Sequence, residues 1–307
     1  MIIPRNPEPD LQTAIAAAVT YLQSFDLGYG HGTSDAVDDA AWLVLEAAGL
    51  SPLEEPDYSM RLPEAAVEQA EAYLQQRAVE RIPSAYIVGR TWFAGLEFRV
   101  DPRVLIPRSP IAEFLLEEGF GLLEPQSVSR VLDLCTGSGC IAIAAAHAFE
   151  NAQVEGADIS APALEVARVN VELHRMESRV TLIEADLFDG LSGPYDLLLS
   201  NPPYVDAADM AATAVEFSHE PALGLVAGPD GLDIAHRILR QSLRYLSPQG
   251  ILVCEVGNSA QAMERAYPDI QFNWLEFANG GEGVFYFSAS ELAEQIEQIE
   301  INHLRKS

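Results

Sequence analysis

The chain predicts an α/β protein: a parallel sheet covered by helices on both faces, preceded by a small helical region. Three observations predict it. From Arg130 onward, short apolar runs alternate with helical patterns, and strands separated by helices indicate a parallel sheet buried on both faces. Residues 1–90 instead repeat apolar residues at helical spacing. A glycine-bearing turn, Cys135-Thr136-Gly137-Ser138-Gly139, falls where the first of those strands gives way to a helix, as in doubly wound folds.

In order along the chain, Leu11 to Phe25 is alanine-rich with a helical apolar stripe. Ser34 is placed to cap a second helix carrying Val37, Ala41, Val44, Leu45 and Ala48, which Gly49 stops. Pro63 to Val79 gives a third; proline suits a first turn, where no N–H is needed. Thr91 to Val100 reads as two short strands turning at Ala94-Gly95, a hairpin linker within residues 91–109. A short helix around Ile111 to Glu118 opens the third segment, residues 110–307. There Val131 to Leu134, Val154 to Ile159, Val180 to Ile183, Tyr195 to Ser200 and Ile251 to Val256 are expected strands. Ile141 to Phe149, Ala163 to His174 and Leu232 to Leu246 are expected helices. Phe272 to Phe277 and Val284 to Phe287 form a closing antiparallel pair, and Ser290 to Ser307 a charged amphipathic helix that docks or caps.

Composition restricts the function. The net charge is −28, from 46 acidic against 18 basic residues, and Lys306 is the only lysine. Such a surface repels a phosphate backbone, and no Arg/Lys cluster offsets it, so no direct nucleic-acid specificity is expected. A basic protein would be attracted and steered in; a general solubility or salt adaptation fits the charge equally well. Met1 to Asp10 has no apolar signal-peptide core, and the apolar run from Ala14 to Val19 is too short to span a bilayer, so a soluble cytoplasmic protein without membrane partners is expected. Cys135, Cys140 and Cys254 cannot all pair, and no His pair has zinc-binding spacing. Three reduced, mostly buried thiols and no metal site are expected.

The candidate site lies at the carboxyl ends of the strands, where open α/β sheets bind ligands. Glycines in the Cys135–Gly139 turn let the backbone approach a ligand closely. Asp158 ends the second strand and can accept hydrogen bonds from ribose hydroxyls, which fits a nucleoside or an NAD-type dinucleotide. Asp186 follows the third strand, where it contacts an adenine amino group or serves as a turn acid, with Leu187 or Phe188 packed on the ring. The fourth strand removes most of the ambiguity, because it runs into Asn201-Pro202-Pro203-Tyr204. The prolines stiffen this loop and offer carbonyl acceptors without competing N–H donors. Asn201 adds a side-chain acceptor and Tyr204 a flat face. An amino group held between two acceptors aims its lone pair out of plane, towards a methyl donor, and an oxidoreductase leaves this loop unexplained.

These residues resemble a known family. Asn201 to Tyr204 after a fourth strand, with the upstream Asp133-to-Gly139 turn, is similar to class I methyltransferases acting on exocyclic or amide nitrogen. Arg81 to Gly89, Phe93 to Phe98 and Val104 to Arg108 resemble the HemK-type protein-(glutamine-N5) methyltransferases. The continuation Ser109-Pro110-Ile111-Ala112-Glu113, and a cysteine at position 135 in place of the usual first glycine, resemble the branch acting on the third large-subunit ribosomal protein. The other branch acts on the Gly-Gly-Gln glutamine of release factors. The resemblance implies a Rossmann-like, seven-stranded, mostly parallel sheet, a helical substrate-recognition domain, and S-adenosylmethionine as cofactor. It implies a basic ribosomal protein or ribosomal precursor as partner. It further implies that Cys135, Thr136, Gly137, Ser138, Gly139, Asp158, Asp186, Leu187 and Asn201 contact the cofactor. Asn201, Pro202 and Tyr204 would carry catalysis, and these with Pro203 would hold the glutamine. Phe93 and Arg108 shape the acceptor entrance, or are hairpin core and a structural ion pair. A DNA adenine methyltransferase or a non-catalytic ribosome assembly factor shares parts of this pattern; the charge argues against the first and the intact Asn201–Tyr204 run against the second.

Overall fold

A computed structural model describes residues 1–5, 8–117, 119–206 and 214–304. The chain forms two compact units. One comprises residues 1–91, 100–102 and 214–219; the other comprises 92–99, 103–213 and 220–307.

The first unit is helical. α1 (Leu11–Leu22) is capped by Asp10, whose carboxylate accepts from Thr13 N at 2.8 Å. α2 (Ala36–Ala47) is capped by Asp35 rather than Ser34: the Asp35 carboxylate takes both Val37 N and Asp38 N, while Ser34 bonds to Asp38 instead. A carboxylate favours this place because it also complements the positive end of the helix. α3 (Glu64–Val79) follows, then α4 (Ser84–Val88), a single short helix that the apolar spacing does not reveal. Leu11, Ala14 and Ala18 of α1 meet Leu43 and Val44 of α2 and Val67, Ala70 and Leu74 of α3 in one core.

The second unit carries the sheet. β1 (Arg90–Phe93) and β2 (Leu96–Arg99) form the hairpin, and α5 (Ile111–Leu116) follows; Glu118, the expected helix end, lies outside the described residues. Then come β3 (Arg130–Leu134), α6 (Cys140–Ala148), β4 (Gln153–Asp158), α7 (Ala161–Leu173), β5 (Val180–Glu184) and β6 (Tyr195–Ser200). α8 (Asp233–Gln241), β7 (Leu246–Glu255), α9 (Ala260–Ala266), β8 (Asn273–Trp274), β9 (Val284–Ser288) and α10 (Ala289–Leu304) complete it. The helix expected over Leu232 to Leu246 is shorter: its α-helical part ends at Gln241, tightens into a 3-10 turn over Ser242–Arg244 and gives way to β7 at Leu246. The strand expected over Phe272 to Phe277 shrinks to two residues, and the last three residues of the expected tail helix, 305–307, are outside the described residues.

Among the described residues, seven strands form one sheet in the order β5-β4-β3-β6-β7-β9-β8. β5, β4, β3, β6 and β7 are parallel neighbours and β9 runs antiparallel to β7. Alternation divides each strand between two cores: Leu132, Leu134 and Leu198 face Ile238, Leu239 and Phe287, whereas Val131, Leu197 and Leu199 face Ile141, Ile143 and Phe149. The chain builds outward from β3 to β5, then restarts on the other side of β3 with β6. The carboxyl ends of β3 and β6 thus flank a topological switch point, where the flanking loops diverge and leave a crevice.

Candidate active site

A cavity of about 240 Å³ opens there. Cys135, Thr136, Gly137 and Ser138 form one wall, Asp158 and Ile159 a second, Asp186 and Leu187 a third, and Asn201 and Pro203 a fourth. The turn after β3 is held from both sides. Thr136 N donates to Ala157 O at 3.1 Å, and Gly137 N donates to Asp158 Oδ2 at 2.8 Å. Ser160 N donates to the other Asp158 oxygen at 2.9 Å, and burial pushes this carboxyl above the usual carboxylate range despite those bonds. Each carboxylate oxygen has a second lone pair, so Asp158 keeps acceptor capacity for hydroxyl groups. Gly139, at φ +79°, starts α6 so close to α7 that a Cβ would stand 3.2 Å from Ala167 Cβ; it packs elements together and does not line the cavity. Cys135 has φ +61°, in the left-handed region that glycine adopts freely, which gives a backbone reason for glycine at this place in related turns. Cys135 is half-buried, and Cys140 and Cys254 are buried; burial pushes all three thiols up, that of Cys140 to about 12.

Asp186 pairs with Arg237 of α8 at 2.9 Å, and both line the cavity. Leu187 lines it as well, whereas Phe188 is buried against Tyr245, stacked at 4.4 Å, and is not available to a ligand.

The acceptor loop leaves β6 at Ser200, whose hydroxyl donates to Leu134 O at 2.9 Å and ties the two strand ends together. Asn201 and Pro203 line the cavity; Pro202 is buried, and Tyr204, half-buried, is not part of the lining. Beyond Tyr204, Val205 N donates to Leu225 O at 2.8 Å and Ala227 N to Val205 O at 3.2 Å, zipping the loop to the chain that follows Glu220. Arg108 lines the cavity and grips Glu220 with both guanidinium nitrogens, at 2.6 and 2.7 Å. Ile106 N donates to the same carboxylate at 3.1 Å. Arg108 is thus an ion-pair anchor in the cavity wall. Phe93 is not brought to the cavity: it is 4% exposed and packs with Phe98, Phe114 and Ile141, so it is hairpin core.

Asp133, which opens the Asp133-to-Gly139 turn, underlies it. Three residues near the site have no role legible in the sequence: Arg237 pairs Asp186, Glu220 anchors Arg108, and Glu255 receives the Tyr204 hydroxyl at 2.8 Å. An acid closing an apolar strand, as Glu255 does, is the one signal that could have found one of them.

The chain is similar in sequence to known methyltransferases. A family described as "Methyltransferase small domain" matches residues 113–223. A ribosomal protein uL3 glutamine methyltransferase of Neisseria gonorrhoeae is 42% identical over 288 residues, covering 92% of this chain and 95% of the relative. One of Neisseria meningitidis serogroup B is 44% identical over 281 residues, covering 90% and 91%. Among solved structures, a methyltransferase from Pyrococcus furiosus superposes over 64% of this chain and 89% of its own, with a TM-score of 0.46 at 18% identity.

Proposed function

This chain belongs to the ribosomal protein uL3 glutamine methyltransferases, and from that premise we propose that it moves a methyl group from S-adenosylmethionine to the side-chain amide nitrogen, N5, of a glutamine in that ribosomal protein. The observation that carries the reading is a shared cavity. The nucleoside-type wall, from Cys135 to Ser138 with Asp158 and Leu187, and the acceptor residues Asn201 and Pro203 line one space. The setting is the cytoplasm, where ribosomal proteins are made. Among the described residues no helix is long and apolar enough to cross a membrane.

When bound, the cofactor supplies an electrophilic methyl group on a sulfonium. This chain supplies binding and orientation. Asp158 would accept hydrogen bonds from the cofactor's ribose hydroxyls, and Leu187 would offer an apolar surface beside its base. An amide nitrogen is a poor nucleophile because its lone pair is delocalised into the carbonyl. Asn201 Oδ1 and the Pro202 carbonyl would accept its two N–H bonds, favour a pyramidal nitrogen, and turn the lone pair towards the methyl group, with Tyr204 giving the amide a flat surface; as the N–CH3 bond forms the S–CH3 bond breaks to leave a neutral thioether, and one of the two N–H protons is then released to solvent. Such positioning supplies up to roughly 7–11 kcal/mol, and aligned dipoles add to it.

Asn201→Ala tests the reading. With purified ribosomal protein and labelled cofactor, turnover should fall by about a hundredfold or more, while calorimetry finds cofactor affinity within a few-fold of the parent. Near-normal turnover by the variant would rule out Asn201 as the acceptor of the amide protons.

A further inference from the structure

Glu255 closes β7 after the apolar run Ile251-Leu252-Val253-Cys254 and is 3% exposed. A carboxylate in that position is costly unless its oxygens are hydrogen-bonded. Its bonds show where it acts. Tyr204 OH donates to Oε1 at 2.8 Å and Ser109 Oγ donates to Oε2 at 2.5 Å. Ser109 is itself fixed, because Ile111 N donates to its hydroxyl at 3.1 Å. Burial pushes the Glu255 carboxyl up, opposed by the two hydroxyls and by the neighbouring Arg108. The Tyr204 ring is also held on its face: a Cβ at Gly257, which has φ +45°, would stand 2.5 Å from ring carbon Cε2. Ser259 Oγ donates to Tyr204 O at 2.9 Å, so backbone, ring face and hydroxyl are each fixed by a different neighbour.

We propose that Glu255, braced by Ser109, is a positioning residue for methyl transfer: it sets the plane of the Tyr204 ring, and through it the plane of the acceptor amide. This rests on the reading of Tyr204 as the surface on which the glutamine amide packs. Glu255 touches neither substrate nor cofactor; its effect passes through one hydroxyl. Removing the carboxyl should therefore change the rate of transfer more than the binding of either ligand, and should do nothing further once the hydroxyl is gone.

The test uses Glu255→Leu, Glu255→Gln, Tyr204→Phe and the Glu255→Leu/Tyr204→Phe double variant in the full chain. Glu255→Leu should lower kcat by about tenfold or more, with cofactor Kd close to the parent and a modest fall in melting temperature as the Tyr204 and Ser109 hydroxyls lose their acceptor. Glu255→Gln, which retains an acceptor oxygen for Tyr204, should recover most of that loss. The double variant should match Tyr204→Phe within about threefold, because coupled residues are non-additive. Independent, multiplicative losses, or a kcat unchanged in Glu255→Leu, overturn the proposal. NMR of ¹³C-labelled tyrosine rings, with Tyr204 assigned from Tyr204→Phe, gives a readout without turnover. The Tyr204 resonance should broaden or shift in Glu255→Leu and stay near the parent's in Glu255→Gln; an unmoved signal overturns the proposal even if the parent methylated another substrate. Absence of turnover by the parent on the ribosomal protein would instead count against the substrate reading.

Discussion

Asp133 sits in the penultimate position of β3 with its carboxyl enclosed. One oxygen accepts from Thr136 Oγ1 at 2.5 Å and Ala142 N at 3.1 Å, and the other has no partner among the described residues. Burial, only partly offset by those bonds, pushes the group up to about 7. The folded chain therefore keeps a proton that the unfolded chain releases near pH ~4. Between those values the unfolded state binds fewer protons, so this group lowers stability as pH rises from about 4 to about 7, by at most about 1.4 kcal/mol per pH unit. Asp133→Asn can still present a carbonyl oxygen to Thr136 and Ala142 without a charge to bury. Urea unfolding should show the variant gaining on the parent between pH 5 and pH 8. An equal stability difference at both pH values would mean that Asp133 titrates normally in the fold.

At the scale of elements, the segment Ala214–His219 is the informative one, because it lies in the helical unit although its neighbours on both sides belong to the sheet unit. Glu216 explains why. It is fully buried and pairs with Arg77 at 3.0 Å and Arg81 at 2.9 Å, while also accepting from Gly28 N at 2.9 Å. Arg77, equally buried, spends its other nitrogens on Asp39 at 2.7 Å and Gly28 O at 2.6 Å. Removing one member of a buried ion network leaves the other charges uncompensated, at a cost of about 3–5 kcal/mol. Glu216→Ala should lower unfolding free energy by that order and speed hydrogen exchange in α2 and α3; a loss below about 1 kcal/mol would show that Arg77 is satisfied without it. This network also marks the limit of the sequence. Strands such as Tyr195–Ser200 were legible from unbroken apolar runs, here Leu197 to Leu199, as expected of parallel strands buried on both faces. Asp158 and Asn201 were legible because they end such strands. Glu216, Glu220 and Glu255 were not: among 46 acidic residues, a buried carboxylate with a distant partner looks like a solvated one. Ser34 was preferred to Asp35 as a cap for a related reason, since adjacent capping residues differ only in how the backbone turns.

For the whole molecule the dominant property is the net charge of −28. Within the proposed function, the partner is a ribosomal protein, and a basic one would be drawn to this surface. Attraction between opposite charges raises the rate of encounter far more than it strengthens the final contacts, and it fades as salt shortens the screening length from about 10 Å at 0.1 M to about 3 Å at 1 M. On that reading methyl transfer depends on short-range contacts within the cavity, so its rate should respond little to salt. The two expectations separate in a kinetic experiment. Raising salt from 50 mM to 500 mM should reduce kcat/KM for the intact ribosomal protein by about tenfold or more through KM, while kcat changes little. A short uncharged peptide spanning the glutamine should be turned over poorly and with almost no salt dependence, because it cannot use the long-range field. Equal salt dependence for peptide and protein would assign the acidic surface to solubility or salt tolerance and leave partner choice to the contacts around the acceptor loop.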